Sequence, residues 1–191
     1  VTFEYIETKN DLCGKPSRTK GACDSTLKDE NVCKYEYLHV SKTLQFTGNG
    51  AMNNYDTTST NTAPWLEKKT IISTITIGEI TTIGNYAFNG CTGITTISFP
   101  TTLTSIGSNA FNGCTGLQTV TNWGSITTIG NYAFNGCTSL TTLTLPDSLK
   151  IIESYAFNGC TQVKTITFYK VTTIGENAFN NCDEVTSIKI P

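Results

Sequence analysis

From Leu140 the chain reads Leu-Thr-Thr-Leu-Thr-Leu, with aliphatics at i, i+3 and i+5 and threonine between the last two. Strict alternation sends successive side chains to opposite faces, so this segment predicts a short strand with one buried face. The pattern returns at Ile94, Ile97 and Phe99, at Leu117 and Val120, at Val163, Ile166 and Phe168, and at Val185, Ile188 and Ile190. Pro100, Pro146 and Pro191 close three of these strands, where a missing N–H does least harm. A second aliphatic pair, such as Leu103 and Ile106, predicts a return path along the opposite side.

These strands belong to an internal repeat. The phrase IGNYAFNGCTGITTISFP from Ile83 recurs from Ile106, Ile129, Ile152 and Ile174, at offsets of 23, 23, 23 and 22 residues. A period in the low twenties with regularly placed aliphatics lies in the range of leucine-rich repeats. One coil cannot bury its apolar face alone, whereas five or six stacked coils share a continuous core. The expected fold is an α/β-type leucine-rich-repeat solenoid over residues 71–191. Its parallel β-sheet lies on the concave face, with rungs about 4.8 Å apart, and short turns or strand-like segments lie on the convex face. Phe88, Phe111, Phe134, Phe157 and Phe179 should stack as a buried column, each preceded by an alanine packed against backbone. At the Asn-Gly-Cys corner glycine supplies positive φ, and asparagine is expected to bond neighbouring backbone amides.

A solenoid end exposes its core, and residues 1–70 are the expected N-terminal cap. Tyr35 to Val40 and Thr43 to Thr47 read as a hairpin around Ser41 and Lys42. Met52, Trp65 and Leu66 are placed to plug the first coil around Ile72, Ile75 and Ile77, and Asn53 to Thr62 reads as a polar loop.

Composition narrows the function classes. Charged residues are 15% of the chain and the formal net charge is -2, which argues against nucleic acid as a partner because phosphates demand clustered Lys and Arg. It gives little support for an anionic membrane surface. No apolar run approaches the roughly 20 residues of a membrane span, so no direct insertion is expected from this segment. The chain begins at Val1 rather than Met and reads as processed or cut, which leaves any signal or anchor outside it.

Eight cysteines fall into two populations. Cys13, Cys23 and Cys33, ten residues apart, are disulfide candidates in the cap; an odd number leaves one free or paired elsewhere. A zinc site is the weaker reading, since the spacing is wide and His39 is the only histidine. Cys91, Cys114, Cys137, Cys160 and Cys182 follow the repeat and read as a column of buried, reduced thiols. Chemistry finds no foothold. His39 has no motif partner, Glu79, Glu153, Glu176 and Glu184 fall on different faces, and Gly124 and Gly130 sit at coil corners rather than in a phosphate loop. No enzyme, cofactor or metal site is expected.

The repeat phrase resembles the BspA-type, or Treponema pallidum-type, leucine-rich repeat. Its unit is an aliphatic strand ending in proline followed by Ile-Gly-x-x-Ala-Phe-x-x-Cys. The resemblance runs coil by coil over residues 71–191, and LQFTGNGAMNNYDTTSTNTAPW from Leu44 to Trp65 is similar to the segment that often leads such arrays. It implies a surface or secreted protein of oral or gut bacteria or of parasitic protists, extracellular in location. Such proteins adhere to host matrix, host cells or other microbes through protein or glycan contacts.

The surface expected to serve such contacts is the outward strand face. One column is Thr74, Thr96, Thr119, Thr142, Thr165 and Ser187; a second is Thr76, Ser98, Thr121, Thr144, Thr167 and Lys189. Threonine suits an exposed strand without any ligand, and its hydroxyls can bond down a ladder. A nearly uncharged platform for macromolecules is the competing reading. In a third column Trp123 and Tyr169 interrupt glycine and prolines as aromatics expected to be exposed, the residue types enriched at binding hot spots. Two alternatives remain. One is a spacer with no ligand of its own, and the other an ice-binding threonine array, against which curvature and the aromatics argue. The last strand, Ser187 to Pro191, is followed by no cap and would either continue into further coils or associate end to end.

Overall fold

The computed structural model describes residues 6–7, 34–38, 40–58 and 61–189. Cys13, Cys23, Cys33, His39, Ile190 and Pro191 lie outside the described residues.

From residue 74 onward the chain winds as a solenoid. Strand β4 (Thr74–Ile83) crosses two sides of the first coil, pairing at its start with β5 (Thr96–Ser98) and at its end with β6 (Ser105–Ile106). Each later coil divides that task between two short strands. On the return side β6, β8 (Thr128–Ile129), β10 (Ile151–Ile152) and β12 (Thr173–Ile174) pair in parallel, with Ile106, Ile129, Ile152 and Ile174 in register. On the other side β5 pairs in parallel with β7 (Thr119–Asn122), and β9 (Thr142–Thr144), β11 (Thr165–Thr167) and β13 (Ser187–Lys189) form a parallel sheet of their own. Parallel pairing follows from translation, because every coil crosses each side in the same direction. Among the described residues the helical content is one 3-10 turn, Pro64–Lys68.

The N-terminal end is built differently. Strand β3 (Thr43–Ala51) runs parallel to β4, aligning Leu44 with Ile75 and Phe46 with Ile77, and is itself one further rung of the stack. Strand β2 (Lys34–Leu38) turns back antiparallel on β3, and β1 (Ile6–Glu7) lies antiparallel on β2. The turn between β2 and β3 places Lys42 at φ 52, where the expected hairpin put it. Strand β3 outruns its expected end at Thr47 because β4 supplies a second ladder beyond the reach of β2.

The core is a column of phenylalanine rings. Phe88, Phe111, Phe134 and Phe157 are fully buried, and successive centroids from Phe88 to Phe179 lie 5.1, 5.1, 5.3 and 5.4 Å apart, with planes within 20°. Burying one such side chain contributes roughly 1.5–3 kcal/mol, and stacking adds about 0.5–1.5 kcal/mol per pair. At the N-terminal end Trp65 closes the column as expected. Its ring lies 5.0 Å from Phe46, 4.9 Å from Tyr35 and 5.4 Å from Tyr55, and its indole N–H donates to the Ala87 carbonyl at 2.6 Å. Met52 is buried in the same core and Leu66 packs partly buried against it. At the other end Phe179 is only half-buried and Ile188 is 58% exposed.

Candidate functional site

Each corner is stitched to the next coil by three backbone bonds at alternate residues. In the first, Tyr86, Phe88 and Gly90 donate to the carbonyls of Ser108, Ala110 and Asn112 at 3.0, 2.7 and 2.8 Å, and the later corners repeat the arrangement. Within a corner the cysteine N–H closes back on the phenylalanine carbonyl, as Cys91 does on Phe88 at 3.1 Å. Gly90, Gly113, Gly136 and Gly159 hold φ between 69° and 71°, as the corner reading requires, and Asn181 takes that place in the last coil at φ 55.

Side chains add ladders that the sequence reading did not foresee. Asparagine was expected to bond backbone amides. Instead Asn135 donates through Nδ2 to Asn112 Oδ1 at 2.8 Å, Asn158 to Asn135 at 2.6 Å and Asn180 to Asn158 at 3.1 Å. Inter-coil bonding already occupies the nearby backbone groups, leaving the amides to satisfy one another. The thiols of Cys114, Cys137, Cys160 and Cys182 each donate to the phenylalanine carbonyl one coil back, at 3.1–3.3 Å. These cysteines are free, as the reduced-thiol reading has it. Burial pushes the Cys91 thiol up to about 12 and holds Cys114, Cys137 and Cys160 well above the ordinary thiol range. These are packing groups rather than nucleophiles, since reaction needs the thiolate.

The strand face presents Thr74, Thr76, Thr96, Ser98, Thr119, Thr121, Thr142 and Thr144 to solvent, with Thr165 half-buried. The expected hydroxyl ladder is absent here. Among the described residues Thr121 alone of these donates a side-chain bond, a long one of 3.4 Å to the Ile97 carbonyl. On the return side, by contrast, Thr104 donates to the Thr81 carbonyl at 3.0 Å, Thr127 to Thr104 at 3.2 Å and Thr172 to Lys150 at 3.1 Å. Just before the last strand Thr186 also donates, to the Lys164 carbonyl at 3.2 Å, so internal use of the hydroxyls recurs on the return side and is sporadic on the strand side. A further exposed column, Thr95, Gln118, Thr141, Lys164 and Thr186, precedes the strands and was missed. Its signal in the sequence is a polar residue directly after each aliphatic that opens a strand.

Two expected surface residues are not at the surface. Trp123 is 6% exposed. Counting residues aligned it with Pro100 and Pro146, but β7 carries a bulge in which Ser98 pairs with Asn122 and Thr121 is extra. The shift puts Trp123 at the inward place of Phe99 and Leu145, with its ring 5.9 Å from Phe99, 5.4 Å from Phe134 and 6.3 Å from Phe157. Burial of its large apolar ring holds that register. Thr167 is 8% exposed. It lies on β11, the middle strand of three, with Thr144 and Lys189 in register on either side of it. Tyr169 stands out at 46% exposure. The bulge also interrupts the strand-side sheet between β7 and β9.

Among the described residues no three His, Cys, Asp or Glu side chains converge, and no helix is long and apolar enough to cross a membrane.

The family described as BspA type leucine-rich repeat region matches residues 81–191 in six copies. A crystal structure of a leucine-rich repeat protein from Eubacterium ventriosum superposes with a TM-score of 0.68 at 24% identity, over 83% of this chain and 42% of that one. One from Bacteroides ovatus gives 0.55 at 27% identity, over 83% and 40%. The leucine-rich repeat protein of T. pallidum gives 0.50 at 18% identity, over 80% and 87%. The chain thus spans about two fifths of the first two. No curated sequence gives a significant match.

Proposed function

The chain belongs to the BspA-type leucine-rich repeat family, and we infer that it is a binding module rather than an enzyme, contacting proteins or glycans outside the cell through its strand face. The observation that carries this reading is the set of exposed hydroxyls on Thr74, Thr76, Thr96, Thr119, Thr142 and Thr144 that make no bond within the described protein. A threonine kept only for strand geometry gains from bonding internally, as Thr104, Thr127 and Thr172 do. Unused donors and acceptors in register form a regular polar platform, and Tyr169 at its edge supplies an aromatic anchor. The end plugged by Trp65 supports residues 1–70 acting as the cap of the array.

Surface plasmon resonance against extracellular matrix proteins and immobilised host-cell glycans tests the reading. A ligand should bind the chain, and Thr119→Lys with Thr142→Lys should weaken it by placing two charges on the platform. Tyr169→Ala should weaken it further. Binding that ignores all three changes would sink the strand-face assignment. Full function after removal of two internal coils would favour a spacer.

A further inference from the structure

Where β3 meets β4 the strand face carries a hollow of about 440 Å³, open to solvent. It is lined by residues 45–49 of β3 and by Thr76, Gly78 and Glu79 of β4. The hollow forms where the two strands fall out of step. Gln45 stands opposite Thr76 and Asn49 opposite Glu79, but between these pairs Thr47 and Gly48 face Gly78 alone. A bulged strand bends at the extra residue, and Gly78 has no side chain to fill the space. A Cβ there would lie 3.1 Å from the Phe46 carbonyl oxygen and 3.6 Å from that of Gly48, so both oxygens border the floor. From Thr76 to Glu79 the strand advances roughly 10 Å. Polar side chains thus stand at both ends of a short stretch of bare backbone.

The lining has one sign of charge. Gln45, Thr47, Asn49, Thr76 and Glu79 make no side-chain hydrogen bond or ion pair within the described protein. Glu79 is the one charged residue on strands β3, β4, β5, β7, β9 and β11, and no Lys or Arg lines the hollow to neutralise it. Unused oxygen acceptors therefore gather around a single carboxylate on a face otherwise without charge. Such a site repels anions. A sugar ring would find no aromatic to stack on, because the Phe46 ring is buried in the core, 5.0 Å from Trp65 and 5.6 Å from Phe88. A calcium ion would meet one carboxylate, too little ligand charge for tight binding. An ammonium is compact and strongly hydrated, whereas a guanidinium is planar, weakly hydrated and carries five donors.

We propose that this hollow receives an arginine side chain of a protein partner. The guanidinium lies over the Gly78 backbone, pairs with the Glu79 carboxylate and gives its remaining N–H groups to the Asn49 and Gln45 side-chain oxygens. Arginine is among the residue types that dominate protein–protein hot spots. The assignment rests on the strand face being the binding side, since Thr76 belongs to that platform, and adds the chemical group that one end of it recognises.

The test is an NMR titration of the isotope-labelled chain with Nα-acetyl-arginine amide, read at the backbone amides of residues 45–49 and 76–79. These amides should shift saturably, and the neutral isostere Nα-acetyl-citrulline amide should leave them in place. Glu79→Gln, a change of charge at an exposed position, should keep the melting temperature and weaken binding roughly fivefold, the loss expected for an open ion pair. Tyr169→Ala, at the far end of the platform, should not alter the titration. No saturable shift at these amides, equal shifts with citrulline amide, undiminished binding by Glu79→Gln, or displacement of the arginine probe by millimolar calcium chloride would overturn the proposal. Matrix-protein binding that is still lost in the Thr119→Lys, Thr142→Lys variant would then leave the strand face standing without the hollow.

Discussion

At the Ala-Phe-Asn corner the coils repeat residue for residue, whereas on the strand face one coil carries an extra residue and still keeps its place in the stack. The corner is bound three ways at once, by backbone bonds at alternate residues, by stacked phenylalanines and by asparagine and thiol ladders. A shift of one residue would break all three together. The strand face has only its backbone ladder and one buried side chain in two, so Thr121 can bulge out provided that Trp123 lands inside. Regularity is strict where several periodic interactions share the same residues, and lax where one acts alone.

The largest effect should come from setting one deletion against another. Removing Gly113 takes the residue at φ 71 that donates to the Asn135 carbonyl at 2.8 Å, and the variant should lose its cooperative unfolding transition. Removing Thr121 should instead be tolerated within about 1 kcal/mol, because it restores the register of the neighbouring strand and leaves Trp123 inward. Circular dichroism during urea unfolding reads both, and equal damage from the two deletions would erase the distinction.

Next in size are the buried rings. Phe134→Ala and Trp123→Ala should each cost about 3–5 kcal/mol. A Trp123→Ala loss below about 1 kcal/mol would mean that the ring does not hold the bulged register.

A smaller effect is confined to the corner. Burial raises the folded thiol pKa, to about 12 for Cys91, above the unfolded value near 8.5. Below that unfolded value both states hold the proton and stability is unchanged. As pH rises past it the unfolded chain ionises first, and stability should fall by up to about 1.4 kcal/mol per pH unit for each buried thiol. Replacing Cys114 and Cys137 by alanine should flatten the slope between pH 9 and the folded values, and an unchanged slope would count against the buried column.

How much of this was legible varies by ladder. Phe88 to Phe157, the free cysteines and the positive-φ glycines recur at one spacing, and a translation that repeats a residue type also repeats its environment. Trp123 misled for the same reason, since counting assumed that every coil has equal segments. An extra Thr121 before it and a shorter return after it cancel in the period and are invisible to it. Exposed hydroxyls misled differently, because threonine has the same pattern whether its oxygen bonds a carbonyl one coil back, as Thr104 does, or faces water, as Thr96 does.

By itself the sequence determined the coil, its period, its buried column and the hairpin that starts the stack, since these follow from which residue types recur and how far apart. Only the tertiary structure decided where Trp123 points and that β3 is a rung of the array. Each depends on how one coil meets the next, and distances between coils are set by backbone ladders and ring packing that no single coil contains.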